Sequence, residues 1–137
     1  MINKTNEPSF DVVGIGNAIV DVLTTTDDST LERLSFDKGS MTLIDENKAQ
    51  ELYEIIPNGI QRSGGSVANS LACIAQLEGK AAFIGRVRND KLGKIFTEEI
   101  SRAGTSFKVP PSSFGPSTAR CLIFVTPDTQ RTMCTFL

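Results

Sequence analysis

A lone carboxylate, Asp21, stands inside the apolar run formed by Ile19, Val20, Val22 and Leu23. An ionised carboxylate in such surroundings is costly unless it has hydrogen-bond partners. Two neighbouring hydroxyls of a sugar diol would supply them; so would the backbone N–H groups of a turn. Asn17, at the end of the preceding apolar run, points to the same region. In open α/β sheets, ligands bind outside the carboxyl ends of the strands.

A second group lies downstream. Gly64-Gly65-Ser66 leads into an apolar run with alanines at close spacing, and Asn69 follows about one helical turn later. Two glycines allow a ligand to approach the backbone closely. A helix start offers unpaired N–H groups, which Ser66 can cap or supplement. Asn69 among Val67, Ala68, Leu71 and Ala72 needs partners for both its donor and its acceptor. A ligand site and a tight strand-to-helix turn both account for this group.

These residues depend on the elements around them. Residues 11–17 read as a buried strand and 20–26 as a second, β-branched one. Ser29 with Glu32 reads as a capping box for a short helix ending near Leu34. Residues 40–44 read as a strand. Asp45 caps a helix with Ala49, Leu52, Tyr53 and Ile56 on one face, stopped by Pro57-Asn58-Gly59. A strand over 59–62 precedes the glycine pair. A helix over 66–78 follows, with Val67, Leu71, Ile74 and Leu77 as its stripe. Residues 80–87 form a strand, and Asp90 caps a helix that turns Leu92, Ile95, Phe96 and Ile100 inward and ends at Gly104. Residues 120–126 and 131–137 form an antiparallel hairpin. Strands alternating with helices predict βαβ units and a parallel sheet.

Several chemistries are excluded. The chain contains no histidine, so it holds no Ser-His or Cys-His pair. Gly14 and Gly16 begin a dinucleotide fingerprint, but Ile19 occupies the third glycine position and a strand follows. Gly59 and Gly64 have P-loop spacing, but Gly65 stands where the lysine is required. A net charge of −2 with no basic run argues against nucleic-acid and membrane-surface partners. Residues 1–8 are polar, without the apolar core of a signal peptide, and no run is long enough to span a membrane. Cys73, Cys121 and Cys134 sit among apolar neighbours and read as buried, reduced thiols of a cytoplasmic protein.

Three segments in this order and spacing (Asp11 to Asn17 with Asp21; Gly64-Gly65-Ser66-Val67-Ala68-Asn69; Ala82-Phe83-Ile84-Gly85 with Asn89-Asp90-Lys91-Leu92-Gly93) resemble the N-terminal part of the ribokinase (PfkB) carbohydrate kinase family. Within it, the chain is most similar to the adenosine-kinase-like group. The resemblance implies an α/β fold: a ribokinase-like, Rossmann-like parallel sheet flanked by helices, with a small β-sheet lid drawn from about 20–26, 40–44 and 118–137. It implies that Asp21 grips two acceptor hydroxyls, that Asn17, Gly65, Ser66 and Asn69 line the pocket, and that Met41, Met133, Thr135 and Leu137 cover it. It also implies ATP and Mg²⁺, a sugar or nucleoside acceptor, and a homodimer through the lid as a further partner.

Two positions depart from the family pattern. Val67 stands where Gly, Ala or Pro is usual, and Arg88 stands where glycine is common. The family's Gly-Ala-Gly-Asp segment, with the general base and the anion hole, does not occur here. The chain also ends inside an apolar strand at Thr135-Phe136-Leu137. Residues 1–137 therefore read as a truncated, substrate-binding part whose ATP-binding and catalytic half is absent, inactive alone. The alternatives are a non-catalytic sugar- or nucleoside-binding or dimerisation module, and an unrelated nucleotide-binding α/β domain.

Overall fold

The computed structural model of the chain describes residues 9–56 and 58–137. The polar segment 1–8 and Pro57, expected to stop the second helix, lie outside them. The elements run β1 (Val12–Ile15), β2 (Ile19–Thr25), α1 (Asp28–Arg33), β3 (Met41–Leu43), α2 (Glu46–Glu54), β4 (Ile60–Gly64), α3 (Ser66–Gln76), β5 (Ala81–Ile84), α4 (Lys91–Arg102), β6 (Ala119–Val125) and β7 (Arg131–Phe136).

The fold is mixed α/β, but its balance differs from the expectation. The parallel sheet has two strands, β1 and β5, extended by a parallel bridge from Ala82 to Ser106. The sheet expected to be a small lid has five strands, in the order β3-β7-β6-β2-β4. β4 joins it antiparallel to β2, instead of joining the parallel sheet. Alternation along residues 60–64 tells which side chains share a face, but it does not identify the neighbouring strand.

Directly opposed residues share a face of a sheet, so the register sorts the five-stranded sheet into two. One face carries Val20, Val22, Leu122, Phe124 and Cys134, all buried. It packs on Leu31 of α1 and on Leu52 and Ile56 at α2 within one continuous core. The ring of Phe36 stacks on Phe124 at 6.4 Å. Beside β5 the core continues as three mutually packed rings, Phe83, Phe96 and Phe107, with centroids 5.4 to 5.7 Å apart. These separations and tilts suit aromatic quadrupoles.

Helix starts follow the sequence in two of three capped cases. Lys48 N–H donates to Asp45 Oδ1 at 2.8 Å, and Gly93 N–H donates to Asp90 Oδ1 at 2.7 Å. At α1 the cap is Asp27, which accepts from Thr30 N–H at 2.8 Å, while Ser29 Oγ donates to the same carboxylate. An ionised carboxylate at the helix start outcompetes the hydroxyl two residues on. Helix α3 ends at Gln76, before the expected 78, and Leu77 is 77% exposed, so the stripe keeps Val67, Leu71 and Ile74, joined by Ala68, and loses Leu77. Gly104 closes α4 at φ +91°, as its position predicts.

Cys73 lies on the exposed side of α3, which corrects the expectation of three buried thiols; Cys121 and Cys134 are buried. Burial pushes the Cys134 thiol up to about 11 and also raises that of Cys121. A thiol reagent at neutral pH is expected to modify Cys73 alone in the folded protein and all three cysteines after denaturation. Rapid labelling of a second thiol under native conditions would contradict this packing.

Candidate functional site

The second face of the large sheet has an exposed rim, Met41, Leu43 and Ile60, around a buried centre of Cys121, Ile123 and Thr135. The register aligns Arg62, Asp21, Cys121, Thr135 and Leu43 in one row across all five strands. The next row holds Ile60, Leu23, Ile123, Met133 and Met41. Three of the expected residues, Asp21, Met133 and Thr135, thus share this face with Met41 at its rim. Met41 is 56% exposed and lies three strands, about 14 Å, from β2.

Asp21 is half-buried, and its carboxylate has no hydrogen-bond or ion-pair partner among the described residues. Burial raises its pKa above the ordinary carboxylate value. The carboxylate lies directly over the Cα of Gly64, where any Cβ would collide with its Cγ and both oxygens. Gly64 ends β4, and the chain turns at Gly65, with φ +91°, straight into α3. Gly65 backs closely on the Asn17 backbone: a Cβ there would stand 3.0 Å from the Asn17 carbonyl oxygen. The carboxylate, the bare glycine, the start of α3 and the Asn17 loop are therefore brought together.

Of the two roles the sequence allows Ser66, capping α3 or binding a ligand, the structure does not show the first. Instead Gly65 is the cap residue, no side chain caps the helix, and Ser66 is its first residue. The first N–H groups of α3 lack a capping side chain, a common basis for binding polar ligand groups. Ser66 and Asn69 share the exposed face of α3, opposite the buried Ala68 and Leu71. The Asn69 side chain makes no hydrogen bond among the described residues, while its backbone N–H donates to the Gly65 carbonyl at 3.0 Å. Neither polar side chain singled out by the sequence is consumed by the fold itself.

Leu137 and Asn17 also meet in a cleft of about 170 Å³ at the carboxyl ends of β1 and β5, so the Asn17 loop borders both places. Its other walls are Gly16 and Ala18, Arg86 to Arg88, and Pro116 to Ala119. The 116–119 wall is held from behind. Arg120, on the buried face, donates to Ser117 Oγ at 2.7 Å and to Gln50 Oε1 at 3.1 Å, and Ser117 N–H donates to Glu46 Oε1 at 2.8 Å. Burial lowers the Arg120 pKa, and Asp90 and Glu46 oppose that shift.

The sequence missed Cys121, which sits between Asp21 and Thr135 and accepts from Thr135 Oγ1 at 3.3 Å. It also gave no role to Arg86, Ser117 or Thr118. Arg88 alone carried a signal, as a side chain in place of glycine.

Polar residues gathered at strand ends are where α/β folds commonly bind small molecules. The model of the pfkB family of carbohydrate kinases matches residues 34–137, and the chain belongs to that family. Its structure is similar to that of adenosine kinase from Sinorhizobium meliloti, with 45% identity and a TM-score of 0.83, over 95% of this chain and 40% of that one. It is also similar to a probable sugar kinase from Rhizobium etli, with 43% identity and a TM-score of 0.83, over 94% of this chain and 39% of that one. Adenosine kinase from Anopheles gambiae, solved with P1,P4-di(adenosine-5) tetraphosphate, matches at 28% identity and a TM-score of 0.76, over 91% of this chain and 38% of that one. The chain thus spans about two fifths of the length of these proteins. No curated protein matches the sequence.

Proposed function

We propose that residues 1–137 form the acceptor-binding part of an ATP-dependent phosphotransferase acting on a nucleoside or sugar hydroxyl. The observation that carries this reading is the partnerless, half-buried carboxylate of Asp21 over Gly64. There it accepts hydrogen bonds from two neighbouring acceptor hydroxyls. Asn17, Gly65, Ser66 and Asn69 line the pocket, and Met41, Met133, Thr135 and Leu137 cover it as a lid. Similarity to adenosine kinases supports a nucleoside, and similarity to a sugar kinase keeps a sugar in view.

Phosphoryl transfer rests on positioning and on stabilising the charge of the moving group. ATP supplies that group, with Mg²⁺ accompanying it. Among the described residues no cluster of acidic, Cys or His side chains fits a metal ion, so no step here runs through Mg²⁺. This chain's residues orient the acceptor, and the base and nucleotide site belong to a further part of the enzyme. We place the activity in the cytoplasm, a reading supported by three free cysteines. No described helix is long and apolar enough to cross a membrane.

Calorimetry with adenosine and a panel of nucleosides and sugars tests the reading. Saturable binding of one of them, without phosphate transfer from ATP, is the expected result. Turnover by these 137 residues, or binding insensitive to Asp21→Asn, would overturn it.

A second reading rests on the apolar rim of the second face, where Leu43 is 64% and Ile60 59% exposed. Two copies pairing through this sheet would bury both. Sedimentation of the protein at rising concentration distinguishes a dimer from a monomer.

A further inference from the structure

The cleft between the β1 and β5 strand ends has a chemistry that a neutral acceptor does not use. Two guanidinium side chains, Arg86 and Arg88, line it, and no acidic side chain does. Arg88 Nη1 is buried and has no hydrogen-bond partner among the described residues. A buried charged donor left unpaired is among the more costly states for a polar group. We infer that this cleft is an oxyanion subsite beside the acceptor pocket, in which Arg86 and Arg88 hold a phosphate or carboxylate group.

The surroundings fit that role. Arg86 is fixed before any ligand arrives: its Nη2 donates to the Phe114 carbonyl at 2.6 Å and to Ser112 Oγ at 2.8 Å, and its guanidinium sits 5.3 Å from the Phe114 ring centroid. These contacts leave its other nitrogens for a ligand. A Cβ at Gly115 would stand 2.7 Å from Arg86 Nη2, so the glycine gives the guanidinium its room. Arg88 is held by its backbone, whose N–H donates to Thr118 Oγ1 at 2.9 Å. The carboxylates nearest the pair are already engaged: Asp90 by the Thr118 hydroxyl and N–H and by Gly93 N–H, and Glu46 by Ser117 N–H. Among the described residues neither forms an ion pair with Arg88, although the Arg88 charge reaches Glu46. Planar guanidinium groups are well matched to phosphate and carboxylate oxygens.

The subsite deepens the acceptor reading because Asn17 lines it and its loop backs on Gly65. An acceptor gripped by Asp21 and bearing a phosphate or carboxylate would reach both. A nucleotide phosphate is the other source of the same chemistry.

Calorimetry and thermal melting with inorganic phosphate, against chloride of equal ionic strength, read the subsite directly. Phosphate is expected to stabilise the protein, and Arg88→Ala to weaken its binding about 10-fold or more. Arg88→Met, which keeps the side chain's length, repeats the measurement should the alanine variant fail to fold. A sugar phosphate or sugar acid whose binding depends on both Arg88 and Asp21 identifies the acceptor as the source. ATP binding that depends on Arg88 but not on Asp21 identifies the nucleotide. Phosphate that stabilises no more than chloride, or equally in the Arg88 variants, overturns the inference. Failure of the acceptor reading looks different: adenosine binding would then be untouched by Asp21→Asn, whatever phosphate does.

Discussion

Asp21→Asn is expected to lower acceptor affinity by about 100-fold to 10,000-fold and, in the absence of acceptor, to raise the melting temperature. The first effect follows from losing a charged acceptor shared by two hydroxyls, at about 1.5 to 3 kcal/mol for each hydrogen bond. The second follows from burial. The carboxylate has no partner among the described residues, and its pKa is raised above the ordinary 3.8 by desolvation. The folded state therefore holds this proton more tightly than the unfolded one, and stability falls as pH rises from 3.8 through the raised value. Above the raised value the whole cost is present; below 3.8 it is gone. The variant should melt higher than the parent at pH 7, and the gap should close as pH falls below 3.8. Gly64→Ala reaches the same site from beneath, since its Cβ would displace the carboxylate. It should lose acceptor binding with Asp21 intact. An Asp21→Asn protein that binds as well as the parent, or melts lower at pH 7, would contradict the account.

Asp90→Ala carries the largest expected loss of stability. One carboxylate accepts from Gly93 N–H at 2.7 Å, Thr118 N–H at 2.9 Å and Thr118 Oγ1 at 2.7 Å. It caps α4 and ties that helix to the segment entering β6. Thr118 is 2% exposed, so its N–H would be left buried without an acceptor. Losing a cap and orphaning a buried donor together cost about 3 to 4 kcal/mol, a large share of a domain's stability. The melting temperature should fall by about 10 °C or more, and Asp90→Asn, which keeps one acceptor oxygen, should recover part of it. Gly93→Ala should also destabilise, because its Cβ would collide with the Arg88 backbone oxygen. An alanine variant melting within about 2 °C of the parent would show that other contacts hold this corner.

Local signals were legible in the sequence, and non-local ones were not. Asp45 and Asp90 announced their helices because a cap acts within one turn. The β-branched run of β2 and the hairpin of β6 and β7 were visible for the same reason. The partner of β4 was not, since nothing within residues 60–64 records that β2 lies beside it. Asp21 and Asn69 stood out because each is polar where its neighbours are apolar, and both side chains are without partners among the described residues. Cys121 gave no such warning: a cysteine among apolar residues looks like core, and only the register places it beside Asp21. Arg88 was conspicuous as a replacement for glycine, but its unpaired nitrogen becomes visible only once the 116–119 segment closes over the cleft.

The order of strands in the large sheet sets when the pocket comes into being. β2 pairs in parallel with β6, so Ile19 waits for Ala119, about a hundred residues later, and β3 waits for β7. Pairings that distant are slow to form and leave unpaired edges exposed meanwhile. During synthesis Asp21 leaves the ribosome long before Cys121 and Thr135 exist to flank it. The Asp21 face is therefore unfinished until β6 and β7 have been made, and a nascent chain halted before β6 would present one side of β2 to chaperones as a bare, sticky edge.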